Sequence, residues 1–190
     1  MLRVPPSTAA LAAALALAGC GRAGAPATPD LPPAEQVAAV DPRTAPAAVA
    51  QLSPVGGSGV EGTVRLADLG AGVRITAEVR GLDDGDHYHG LQILAAGTCD
   101  ALGDAPAHFD PDGAPHGPFD APSGARHAGD LGNIRGYGGS GRYDRLDALL
   151  SLSGPRSAVG HAVVVRADRD DAWSRDGDAD AVLACGVLAP

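Results

Sequence analysis

The run Val73-Arg74-Ile75-Thr76-Ala77-Glu78-Val79-Arg80 alternates apolar and polar residues without a break. Successive side chains of a strand point to opposite faces, so this period describes a strand with one buried face. Val60-Glu61-Gly62-Thr63-Val64-Arg65-Leu66 repeats the pattern, and Asp68-Leu69-Gly70-Ala71-Gly72 between the two runs is turn sequence. Together they predict a hairpin. Further short strands are predicted at Ala48 to Leu52, Tyr88 to Ala95, Asp130 to Arg135, Gly141 to Leu146, Ala148 to Leu152, Val163 to Val165 and Val182 to Leu188. Some eight short strands separated by turn signals imply an antiparallel sandwich or barrel. The 27 Gly and 16 Pro favour turns over long helices, and 3% aromatics leaves the core to aliphatic side chains.

The chain outside these strands divides into recognisable parts. Residues 1–19 have a weakly basic start at Arg3 and a short apolar run from Ala9 to Leu17, too short to span a bilayer. The run ends in Leu17-Ala18-Gly19-Cys20, which resembles a bacterial lipobox. Lipidation of Cys20 would anchor an exported protein to a membrane, in the periplasm or at the cell surface. Residues 20–46 carry Pro26, Pro29, Pro32, Pro33, Pro42 and Pro46 among Ala, Thr and charges, which describes an extended tether. The folded domain is expected over residues 47–190. With Cys20 acylated, Cys99 and Cys185 remain as an even pair in an exported chain, readable as a disulfide or as two buried thiols. Closing a loop of that length would stabilise by roughly 4 to 5 kcal/mol on the chain-entropy account. The net charge of -9 argues against nucleic-acid partners, which need clustered Lys and Arg.

Residues 105–129 are too rich in Pro and Gly for a regular element, yet they hold His108, His116 and His127, with Asp130 just beyond. Long loops inside compact domains are functional or disordered. Three imidazoles and a carboxylate form an N3O set that suits tetrahedral zinc, and such a metal would order the loop. Solvated loop histidines have the same spacing, so the spacing alone leaves both readings open.

The motifs Ala107-His108-Phe109-Asp110-Pro111, His116-Gly117, His127-Ala128-Gly129-Asp130-Leu131-Gly132-Asn133 and Leu183-Ala184-Cys185-Gly186-Val187 resemble those of the copper/zinc superoxide dismutases, over about residues 48–190. The resemblance implies an eight-stranded antiparallel Greek-key β-barrel with a long zinc and disulfide loop and a second long loop before the last strand. It implies a Cys99–Cys185 disulfide and one zinc per chain on His108, His116, His127 and Asp130. It also implies that Asp170 supports a zinc histidine through a hydrogen bond. Members of the family occur as dimers and as monomers. A homodimer therefore stays open, no apolar stripe marks an interface, and no protein partner is legible.

The copper half of the family's site reads differently. His89-Gly90-Leu91-Gln92-Ile93-Leu94 stands where the family has His-Gly-Phe-His-x-His, so Gln92 and Leu94 replace two copper histidines. Arg166 replaces a third, and Val182 replaces the arginine that guides superoxide. Only the bridging residue, His108, remains, so copper binding is not expected. An alternative register makes His87 and His89 a copper pair, with His108 and His161 completing an atypical site. His161 on its own reads as a strand-start histidine, and the lone Trp173 as packing over the last long loop. The expectation is a zinc-binding scaffold or binding module at the cell envelope without dismutase chemistry. The alternative is a superoxide dismutase with an atypical metal site.

Overall fold

The computed structural model describes residues 40–100, 102, 106–173 and 181–190. Cys20, the signal segment and most of the tether lie outside the described residues. Eight antiparallel strands close into a barrel: β1 (Ala47–Pro54), β2 (Glu61–Asp68), β3 (Val73–Arg80), β4 (Asp86–Ile93), β5 (Asp130–Tyr137), β6 (Ser140–Asp147), β7 (Ala162–Arg166) and β8 (Val182–Val187). Their order around the barrel is β1-β2-β3-β6-β5-β4-β7-β8, and β8 returns to β1 through Ser53–Cys185 and Pro54–Ala184. The chain passes from β3 over β6 and β5 to β4, the Greek-key crossing.

The alternating runs form the predicted hairpin in an unbroken register from Glu61–Arg80 to Asp68–Val73. Their inward residues, including Val64, Leu66, Ile75 and Val79, join Leu91, Ile93, Ile134, Val163 and Val165 in an aliphatic core. All five residues of β7 are buried. Its odd-numbered valines face the core, while Ala162 and Val164 pack outside the barrel with Leu94 and Cys185. The Cys99–Cys185 disulfide lies in this outer cluster, with Cα atoms 5.8 Å apart.

One predicted strand is absent. Residues 148–152 leave the sheet, because Asp147 Oδ1 accepts the backbone N–H groups of Leu149 and Leu150 at 2.6 and 2.9 Å and turns the chain. The apolar pair Leu149-Leu150 is buried, so hydrophobicity there signals packing rather than strand pairing. The last residues of the expected tether are folded too. Ala45 is buried after a turn in which the N–H groups of Thr44 and Ala45 bond to Asp41 O.

Candidate metal centre

The loop between β4 and β5 reaches the barrel at two places that pair with each other. Ile93 donates its N–H to Gly129 O, Phe109 donates to Ile93 O, and Gly129 donates to Phe109 O, all at 2.8 to 2.9 Å. This ring of three bonds fixes His108 and His127 beside the end of β4. It also requires a glycine at 129, where a Cβ would stand 2.2 Å from Ile93 O. Asp130 follows as the first residue of β5, fully buried. His116 is carried in by Gly117, whose N–H donates to Asp130 Oδ2 at 3.1 Å.

His108, His116, His127 and Asp130 form the one group with metal-ligand geometry among the described residues, with their ligand atoms all within 4.8 Å of one another. The Nδ1 atoms of the three imidazoles lie 2.7, 3.0 and 3.1 Å from a single oxygen, Asp130 Oδ1. The other carboxylate oxygen, Oδ2, accepts the N–H groups of Gly117 and His127. The carboxylate is therefore oriented by backbone on one side and leaves its other oxygen to the histidines. Burial alone would raise the Asp130 carboxyl, but the His108 and His116 imidazoles hold it well below the ordinary carboxylate range. Burial opposes charge on His116 too, yet the carboxylates of Asp130 and Asp170 on either side push it up to about 10. His116 Nδ1 is buried and is not aligned for a hydrogen bond despite its 3.0 Å distance. A buried polar atom without a partner is costly, and a cation among the three Nδ1 atoms would satisfy it. The residues fit a metal ion, and metal uptake would displace the proton on His116.

Asp170 lies behind this cluster, with Oδ1 3.0 Å from His116 Nε2. Asn133 of β5 fixes its position by a reciprocal pair of bonds: Asn133 Nδ2 donates to Asp170 O, and Asp170 N–H donates to Asn133 Oδ1. His116 Nε2 and Asp170 Oδ1 are close but not aligned for a hydrogen bond, so Asp170 places a fixed negative charge behind the imidazole.

The sequence profile of copper/zinc superoxide dismutase matches residues 60–188. The chain belongs to the copper/zinc superoxide dismutase family. It is 41% identical over 140 residues to superoxide dismutase [Cu-Zn] 2 of Brassica juncea, covering 68% of this chain and 90% of the relative. It is 37% identical over 142 residues to superoxide dismutase [Cu-Zn] A of Xenopus laevis, covering 70% and 91%. The crystal structure of the clock protein EA4 superposes with a TM-score of 0.65 at 29% identity, over 75% of this chain and 93% of that one.

In this superoxide dismutase-family domain the other residues singled out from sequence are spread more widely. Gln92 is buried with Oε1 lacking a partner. It pairs with Val164, and two residues earlier the Gly90 N–H donates to Asp168 O at 2.8 Å. A Cβ on Gly90 would stand 3.1 Å from Arg166 Cγ and 3.4 Å from Asp170 Cβ. Leu94 lies at the opposite end of this row, bridged to His108 and packed in the outer apolar cluster that also includes Val182. Arg166 is buried. His87 is exposed, with Asp83 3.7 Å away. His89 is buried, and its Nδ1 lies 3.2 and 2.9 Å from the carbonyl oxygens of Arg166 and Ala167. His161 Nδ1 lies 3.0 Å from Leu94 O, and its ring packs on Phe109. Trp173, expected to pack, is instead 85% exposed in a turn.

Two features escaped the sequence reading. One is the space that Gly90, having no side chain, leaves for Arg166 and Asp170. The other is a buried ion pair between Arg126 and Asp147. Arg126 also donates to the carbonyl oxygens of His127 and Asp130, which ties the metal cluster to the end of β6. A buried pair of opposite charges 21 residues apart leaves no periodic signal in sequence.

Proposed function

We propose that this domain is a zinc-stabilised barrel of the superoxide dismutase family that has no copper centre and does not dismute superoxide. His108, His116, His127 and Asp130 hold the zinc, whose three nitrogens and one oxygen match its preference. The observation that carries the reading is Arg166. Its buried side chain lies against Gly90 on β4, the strand whose Gln92 and following Leu94 replace two copper histidines. Gln92 offers only an amide, Leu94 and Val182 alkyl groups, and Arg166 a permanent cation that repels a metal ion. One imidazole, His108, remains. Copper does not fit this set, and zinc alone has no redox cycle with which to exchange an electron with superoxide.

The test is metal analysis of the purified domain after loading with both Cu2+ and Zn2+, followed by a superoxide assay. One zinc, no retained copper and background turnover are expected. Identity of 36% to 41% to proteins named superoxide dismutase favours a second reading, catalysis at an atypical copper site. Stoichiometric copper with copper-dependent turnover would establish it and remove the first.

The place of action is the cell envelope, with Cys20 lipidated and residues 20–46 acting as the tether. The lipobox-like Leu17-Ala18-Gly19-Cys20 supports this. Cys20→Ser is expected to move the protein from the membrane fraction to the soluble fraction. Unchanged membrane association would reject the anchor.

A further inference from the structure

Resting on the zinc reading proposed above, we infer that Phe119 is the positioning residue for His116, and that His116 is the ligand that swings out when the metal centre opens.

The three imidazoles are not anchored alike. His108 is bridged to Leu94, and both its neighbours are tied to the barrel: Ala107 O accepts the Ala95 N–H, and Phe109 N–H donates to Ile93 O. His127 donates its own N–H to Asp130 Oδ2, and its carbonyl oxygen accepts from Asp130 N–H and from Arg126. A ring nitrogen of each bonds to Asp130 Oδ1. His116 is held more loosely. Its backbone makes no hydrogen bond among the described residues. Its ring nitrogens, 3.0 Å from Asp130 and from Asp170, are aligned with neither. One hydrogen bond ties its leg of the loop to β5, from Gly117 N–H to Asp130 Oδ2.

The sequence of that segment shows what else can hold it. Residues 116–127 read His-Gly-Pro-Phe-Asp-Ala-Pro-Ser-Gly-Ala-Arg-His, with Phe119 the one large apolar side chain. Local turns, from Ala121 N–H to Pro118 O and from Ala125 N–H to Pro122 O, shape the segment but do not attach it to the sheet. Phe119 does attach it. The side chain packs against the barrel core and meets Tyr143 of β6 edge-on, with ring centroids 6.4 Å apart. It also lies against Gly132 of β5, whose φ of +74° keeps that position a glycine. The guanidinium carbons of Arg126 and Arg145 lie over its ring, 5.0 and 5.4 Å from the centroid. Arg145 belongs to β6 and Arg126 to the His127 leg, so one ring joins both legs of the loop to the sheet. Edge-on aromatic and cation–π contacts depend on the charge distribution of the ring, which an aliphatic side chain lacks. Undocking of Phe119 frees the nearby His116 while His108, His127 and Asp130 keep their own bonds. Three remaining ligands leave one open position, as in an open rather than a closed metal site.

The test loads the protein with Co2+, whose visible absorption reports ligand set and geometry, and follows its release to a chelator. Phe119→Ala is expected to release cobalt about ten-fold faster than the unchanged protein. Its spectrum is expected to shift toward that of His116→Ala and not toward that of His127→Ala. Phe119→Tyr keeps the ring and is expected to restore the original spectrum and rate. Val64→Ala, in the core at the β2–β3 hairpin, is expected to lower the melting temperature without changing the release rate. An unchanged spectrum and rate in Phe119→Ala, a tyrosine variant as impaired as alanine, or equal acceleration by Val64→Ala would each overturn the inference. An unchanged protein that takes up no cobalt would remove the metal reading and this inference together. Cobalt uptake with an unaffected Phe119→Ala would remove this inference alone.

Discussion

Asp130→Ala is expected to abolish metal binding and to lower the melting temperature by roughly 10 to 20 °C, given about 3 to 5 kcal/mol for a buried network stripped of its charge partner. The carboxylate is fully buried and meets five groups: three imidazole nitrogens at Oδ1 and two backbone N–H groups at Oδ2. Alanine would leave those amides without an acceptor and remove the anion that favours the cation. Differential scanning calorimetry and zinc stoichiometry measure both effects. Asp130→Asn serves as the milder partner, since its amide oxygen can still accept from Gly117 and His127 while the charge is gone. Retained zinc at one per chain in Asp130→Ala would refute the assignment of this residue as a ligand. His127→Ala should act in the same direction, with residues 105–130 becoming sensitive to protease.

The second large effect is expected from Asp147→Ala. Asp147 holds the buried Arg126 guanidinium through Oδ2 and the N–H groups of Leu149 and Leu150 through Oδ1. Removing it strands a charge and two amides, at a cost of about 3 to 5 kcal/mol. Arg126 also grips the backbone at His127 and Asp130, so zinc affinity should fall along with stability. The double variant Arg126→Met with Asp147→Leu separates the two contributions. Buried ion pairs replaced by apolar side chains of similar size are often neutral in stability, so the double variant should melt above Asp147→Ala. A double variant no more stable than the single one would show that the turn at Leu149 and Leu150, and not the stranded charge, dominates.

Local pattern predicted the fold well where it had one face to bury. The alternation in β2 and β3 marks inside and outside residue by residue, and the hairpin register follows from it. Residues 148–152 misled because Leu149 and Leu150 are as apolar as a strand, while the side chain of Asp147, outside the run, decides their path. The cluster of His108, His116, His127 and Asp130 was legible by resemblance, since spacing alone left it open. What brings them together is non-local: the ring of bonds among Ile93, Phe109 and Gly129, and the clasp between Asn133 and Asp170. The role of Gly90 was hidden for the same reason. A glycine carries no chemical signal, and its meaning depends on what faces it across the sheet.

The closure of the barrel has its own consequence. β1 and β8 meet through Ser53–Cys185, Pro54–Ala184 and an isolated bridge between Val49 and Ala189, contacts between segments far apart in sequence. Such pairings form late during folding, because the chain must first close a long loop. Until they form, β1 and β8 each present an open strand edge, a template for edge-to-edge association between chains. Cys185 is a member of this seam, and its bond to Cys99 ties the closing strand to the start of the loop that follows β4. Reduction of this one cysteine pair is therefore expected to loosen the seam and leave the β1 and β8 edges exposed for longer during folding.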